Sequence, residues 1–148
     1  MIFNSTEEFL AAQNRAFEEL KDVDKVLRGA LFDSLALIKG RIQQDGQNSG
    51  GGNIGTYSKK WAKFRSSIGR QTGHIDLTLS GDMMRNFSII PDGSDALGLG
   101  FTSDLESDKA SGNEERYGGA IFELTSEEEA FIEGEINKKV ADILNKAN

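Results

Sequence analysis

A single histidine and no cysteine stand among 148 residues, so imidazole and thiol chemistry have almost nowhere to operate. The missing cysteines exclude a disulfide scaffold, a thiol nucleophile, an iron–sulfur cluster and every thiolate zinc site. His74 follows Gly73 and lies near Asp76 and Ser80, so a histidine–serine dyad can be drawn on paper. Neither a nucleophile elbow nor an oxyanion motif accompanies it, and a small hydrolase would need His74, Asp76 and Ser80 to converge in one pocket. No enzyme is expected. Asp104, Glu106, Asp108, Glu114 and Glu115 cluster as calcium ligands do, but without the Asp-x-Asp-x-Asp-Gly spacing and its closing glutamate. A solvated acidic loop is the expectation there, with no metal and no cofactor. Gly50 to Gly55 has the glycine spacing of a phosphate loop, yet Thr56 follows directly and no lysine precedes it.

A different chemistry is suggested by Tyr57-Ser58-Lys59-Lys60-Trp61-Ala62-Lys63-Phe64-Arg65. Tyr57, Trp61 and Phe64 recur at helical spacing with cations between them, so one face of a short helix would be aromatic. From Lys39 to Arg70 there are seven basic residues and one acid; from Asp92 to Glu135 there are thirteen acids and two bases. Charge polarised in this way suits a surface that meets a copy of itself, or one face turned toward nucleic acid. The net charge of −7 argues against broad duplex binding, where neutralising phosphates dominates affinity. Single strands are a different matter: Lys59, Lys60, Lys63, Arg65 and Arg70 could track a backbone while Trp61 or Tyr57 stacks on bases. The plainer alternative packs those aromatics in the core and leaves the lysines in water.

The elements that must position these residues follow from length and periodicity. At 16.2 kDa the chain is one domain, 1–148, with 37% hydrophobic residues and 17 glycines, which implies a core with many loops. Ser5 and Glu8 form a capping box, and the stripe Phe9, Phe17, Leu20, Val23, Leu27, Leu31, Leu35, Ile38, Ile42 predicts helix over most of 1–44, with a break or kink near Asp22. Residues 45–56 are too glycine-rich to hold one conformation without a partner and read as a flexible arm or loop. Segment 57–125 reads as the short helix plus an antiparallel sheet: Asp76–Leu79, a hairpin of Met84–Ile90 and Ala96–Phe101 across the Pro91–Asp95 turn, and a third strand Gly119–Leu124. Gly98 and Gly100 leave one strand face bare for a close-packed helix or backbone, and 102–115 reads as an extended acidic loop. Thr125 with Glu128, or Ser126 with Glu129, caps a closing helix over 126–148 with the buried stripe Ile132, Ile136, Val140, Ile143. The expected fold class is α+β, with the long N-terminal helical segment and the C-terminal helix packed on one face of a small antiparallel sheet. No apolar run approaches the roughly 20 residues of a membrane span, and the acidic start lacks a basic leader, so a soluble protein made in a cytoplasm is expected.

Ser80-Gly81-Asp82-Met83-Met84-Arg85-Asn86-Phe87, a hairpin, then Arg116 and Ile121-Phe122-Glu123-Leu124-Thr125-Ser126 before a terminal helix resemble the tail-completion or virion-morphogenesis neck proteins of long-tailed bacteriophages. The likeness runs from about Leu77 to Leu144. It departs at Arg116, which Tyr117-Gly118-Gly119 follows in place of the family's proline, and at Lys109-Ala110, where an aromatic–alanine pair and a histidine are usual. The resemblance implies a structural virion protein, assembled in the bacterial host cytoplasm, that forms a sixfold or twelvefold homo-oligomeric ring at the head–tail junction. Other neck, connector or tail proteins would be its partners, DNA would pass through the lumen without specific binding, and no membrane would be involved. On that reading Tyr57, Lys59, Lys60, Trp61, Lys63, Arg65, Arg70, Arg85 and Arg116 are candidates for the subunit interface. Asp104, Glu106 and Asp108 are candidates to face the channel, where repulsion from phosphate would keep DNA sliding.

Overall fold

The computed structural model describes residues 6–93 and 96–146. The capping box at Ser5 and the side chains of Phe9, Phe17, Leu20 and Val23 lie outside the described residues, as do Ser94 and Asp95 of the turn. The fold is α+β, with α1 (Thr6–Gly40), α2 (Lys59–Ser67), α3 (Asp82–Asn86), β1 (Phe87–Pro91), β2 (Leu97–Phe101), α4 (Asp104–Tyr117) and α5 (Ser126–Lys146). Helix α1 lies against α5 and against both strands, and α3 and α4 close the other side of the hairpin.

Helix α1 does not break at Asp22. Its first 23 residues, Thr6 to Arg28, contain neither glycine nor proline, and an aspartate inside a helix costs only about 0.7 kcal/mol against alanine, too little to stop the ladder. Toward the C-terminal end the apolar stripe is buried at Leu35, Ile38 and Ile42, with Ala30 beside it. After Gly40 the helix widens into a π-helical turn, Arg41–Asp45, closed by Gly46 in the left-handed region with its N–H on the Arg41 carbonyl. Widening turns Arg41 and Ile42 inward together. His74 packs over Gly46, where a β-carbon would lie 2.7 Å from its ring.

The glycine-rich segment 45–56 folds back on its own chain instead of projecting as an arm. Gln47 and Asn53 form a bridge, and Asn48 Oδ1 accepts from the amides of Gly50 (3.0 Å) and Gly52 (3.1 Å). Ser49 donates through both its amide and Oγ to the Ala120 carbonyl, while Ile54 is buried in the core.

Among the described residues two strands form, antiparallel, with Phe87 opposite Phe101, Ile89 opposite Leu99 and Pro91 opposite Leu97. Met84–Asn86 belongs to α3, and Asp76–Leu79 is not a strand because Leu77 takes a φ of 51°, a left-handed conformation that no ladder accommodates. Gly119–Leu124 is not a strand either. The amides of Ile121 and Phe122 donate to Glu114 Oε1 (2.7 and 3.3 Å), and the carbonyls of Ile121 and Glu123 accept from Arg41 (3.3 and 2.6 Å). Side chains therefore take the bonds a neighbouring strand would have made. The bare glycine face receives no helix: Ile90, from the partner strand, lies across Gly100. The acidic stretch predicted as a loop over 102–115 is helix α4, which buries Ala110 and Glu106 and leaves Leu105 out, so its apolar residues trace no stripe. Thr125 and Glu128 make the predicted box at the start of α5, with Thr125 N to Glu128 Oε2 at 2.8 Å and Glu128 N to Thr125 Oγ1 at 3.1 Å.

The core joins Leu35, Ile38 and Ile42 to Ile54, Ile75, Met83, Met84, Phe87, Ala110 and Ile121. Phe87, Phe101 and Phe122 stack above it with ring centres 5.1 to 5.3 Å apart. Two glycines should respond oppositely to alanine. Gly46→Ala meets His74 at a left-handed φ of 65° and should lower unfolding free energy by about 2 kcal/mol. Gly29→Ala, inside α1 with open space around it, should raise it by about 0.5 to 1 kcal/mol. Urea denaturation of the two variants checks both signs; a neutral Gly46→Ala would contradict the packing described.

Candidate functional site

Helix α2 is where the sequence places most of its candidate residues, and its burial inverts the expected pattern. Ser58 caps it, accepting from the Trp61 amide at 3.3 Å, and Gly69 at a φ of 71° follows its end. The side chain it buries is the arginine: Arg65 is 2% exposed, while Trp61, Phe64 and Ile68 are 39%, 45% and 48% exposed. The packing of aromatics inside with charges outside is therefore not what forms. Lys59, Lys60, Lys63 and Arg70 stand in water, as predicted for a cationic surface.

Arg65 is not an interface residue. Its Nε donates to the Gln71 carbonyl (2.9 Å), Nη1 to the Thr78 carbonyl (2.7 Å), and Nη2 to both carboxylate oxygens of Asp76 (3.0 and 2.9 Å). Asp76 Oδ1 also accepts from the Tyr57 hydroxyl (2.8 Å) and the Thr78 amide (2.9 Å), and the guanidinium lies 4.4 Å from the Tyr57 ring centre. Tyr57, half-buried with one face under Arg65, is not an open stacking platform for a base. Burial, opposed in part by the Asp76 amide and reinforced by the bond to the Asp76 carboxylate, pushes the Tyr57 hydroxyl up to about 12. One signal for this network is in the sequence: Asp76 is the only acid between Gly46 and Gly81.

The surface that remains is a ridge and a groove. Trp61 and Phe64 touch with ring centres 5.1 Å apart, and together with Thr56, Tyr57, Lys60 and Arg116 they border a groove of about 790 Å³. Arg116, exposed on α4, lies 5.6 Å from the Tyr117 ring centre. Arg85 is exposed on α3 and is engaged by Asp82 and the Ser80 carbonyl, so it stands apart from the α2 ridge. The bonds from Ser80 and Arg85 hold the Asp82 carboxyl below the usual carboxylate range.

Of the channel candidates, Asp104 and Asp108 are exposed one turn apart on α4. Glu106 is not: it is buried, its Oε1 paired with Lys109 at 2.7 Å and its Oε2 without a partner among the described residues. The residues of the drawn dyad are committed elsewhere. His74 Nε2 is 3.0 Å from the Gln43 carbonyl, Asp76 belongs to Arg65, and Ser80 Oγ donates to Asp82 at 2.6 Å. Among the described residues no group of three or more metal-ligating side chains is assembled.

Arg41, which sequence reasoning passed over, is the second buried hub. It pairs with Glu128 at 2.9 Å and donates to the carbonyls of Gln47, Ile121 and Glu123. Beside it the π-helical turn and the start of α5 border a wider groove of about 950 Å³ that exposes Leu37 and Phe131 among Asp33, Asp45, Glu127 and Glu135.

No family model matches the chain, and no curated protein or solved structure matches it. No helix among the described residues is long and apolar enough to cross a membrane.

Two measurements check the Arg65 network. Asp76→Asn leaves a buried guanidinium without its counter-charge and should cost about 3 to 5 kcal/mol in urea denaturation. Because the folded Tyr57 hydroxyl titrates above its unfolded value, its contribution is complete below about pH 10 and is lost as pH climbs toward 12. Stability should fall across that window in the parent and fall less steeply in Tyr57→Phe.

Proposed function

We propose that this chain is a structural subunit of a closed homo-oligomer, and that the oligomer is a neck ring of a tailed bacteriophage virion, with DNA passing through it. The observation that carries the reading is apolar surface left uncovered in separate places. Leu10 and Phe32 on α1, the Trp61–Phe64–Ile68 ridge on α2, Leu105 on α4 and Phe131 on α5 are each between 39% and 65% exposed. Among the described residues twelve hydrophobic side chains are buried, while the large ones just named stand partly in water and await cover.

The resemblance from Leu77 to Leu144 supplies the class of assembly. On this reading Asp104 and Asp108 remain the channel-facing pair, Glu106 being buried, and Lys59, Lys60, Trp61, Lys63, Arg70 and Arg116 remain interface candidates, as does Arg85 away from the α2 ridge.

A second reading, a single-strand-binding accessory protein, is favoured by one observation: exposed Trp61 and Phe64 lie beside Lys59, Lys60 and Lys63. Sedimentation velocity and negative-stain microscopy of the full chain separate the two. The neck reading expects closed rings, and a strict monomer at about 100-fold above micromolar concentration, where specific subunit contacts saturate, would overturn it. The accessory reading expects the emission of Trp61, the chain's one tryptophan, to be quenched by oligo(dT) and restored as salt rises.

A further inference from the structure

We infer that the α2 ridge of one copy docks in the acidic groove between α1 and α5 of the next copy, a head-to-tail contact that uses two different surfaces of the same chain. This rests on the reading of the chain as an oligomer subunit and says which surfaces make the joint.

The two surfaces complement each other in charge, and both carry apolar side chains to cover. The ridge presents Trp61 and Phe64 on a capped helix and Ile68 just after it, and the same helix exposes Lys60 beside the rings and Lys59 and Lys63 farther round. Its sequence neighbourhood is acid-free from Gly46 to Ile75, and the one acid that follows, Asp76, is consumed by Arg65. The ridge therefore has no carboxylate of its own to neutralise those lysines. The groove has the opposite composition: an apolar floor of Ala36, Leu37 and Phe131, and a rim of Asp33, Asp45, Glu127 and Glu135. Its one arginine, Arg41, is buried and spent on Glu128 and three carbonyls. None of the four rim carboxylates has an ion-pair partner among the described residues.

Desolvating either surface alone against an uncharged partner would strand three ammonium groups or four carboxylates, whereas setting them together offsets both while covering the aromatic rings. Because the contact is heterologous, each copy keeps one ridge and one groove, and repetition closes into a ring when the rotation allows.

The test is a charge exchange in the full-length chain. One variant carries Lys59→Glu, Lys60→Glu and Lys63→Glu; the other carries Asp33→Lys, Asp45→Lys and Glu135→Lys, which leaves Glu127 as the one acid of the four on the rim. Alone, each variant sets like charges against each other and should associate at least about tenfold more weakly than the parent in sedimentation velocity. Mixed in equal amounts, each variant's ridge meets the other's oppositely charged groove, and assembly should return with a blue shift in Trp61 emission. A mixture that stays dissociated, or variants that assemble as the parent does, would overturn the docking while leaving the ring intact. A parent that never self-associates would overturn docking and ring together. If the lysine variant assembles normally but no longer binds oligo(dT), the ridge serves a nucleic acid and the inference is wrong.

Discussion

Buried carbonyl oxygens have to be paired, and this chain has few strands with which to pair them. Its sheet has two strands, while three irregular segments, around Gln47, Gln71 to Thr78 and Ile121 to Glu123, pass through or beside the core. Two buried guanidinium groups answer that demand. Arg41 and Arg65 between them take five main-chain carbonyls, and each is neutralised by a carboxylate, Glu128 or Asp76. A lysine could not replace either one, since its compact ammonium has no planar fork to span acceptors on separate segments. From the π-helical turn after α1, one side chain, Arg41, ties α5, the glycine loop and the 121–123 segment together.

The parts legible in the sequence are those whose signal is local. Periodicity located α1, α2 and α5, the Pro91–Asp92–Gly93 signal located the hairpin, and Thr125 with Glu128 located a helix start. What escaped depended on partners distant in sequence. Helix α4 was hidden because it buries only Ala110 and Glu106, which gives no apolar period to read. The strands imagined at Asp76–Leu79 and Gly119–Leu124 have strand-like composition, but Arg65, Glu114 and Arg41 had already claimed their hydrogen bonds. At the site, Lys59, Lys60 and Lys63 could be placed correctly from type alone, whereas Arg65 could not: a long cation is ordinarily solvated, and only the isolation of Asp76 in a basic stretch pointed to its burial.

The burial of Arg65 also shapes the surface above it. Arg65 is buried while Trp61, Phe64 and Ile68 stay between 39% and 48% exposed, so aromatic rings and three lysines share the surface of one short segment. The acidic half of the chain is distributed differently, around the α1–α5 groove and along α4. Asp33 and Asp45, from the first half of the chain, join Glu127 and Glu135 at the groove, so the acidic surface is gathered by the fold and not by the sequence alone.

The acceptors chosen by the two arginines have a bearing on mutational drift. Every residue type offers the same peptide oxygen, so Gln71, Thr78, Gln47, Ile121 and Glu123 can change identity without loosening the clasp on them. Constraint is concentrated instead on four side chains, Arg41, Glu128, Arg65 and Asp76, scattered over nearly ninety positions. A scaffold tied in this manner can keep its shape while almost everything that an alignment would count diverges.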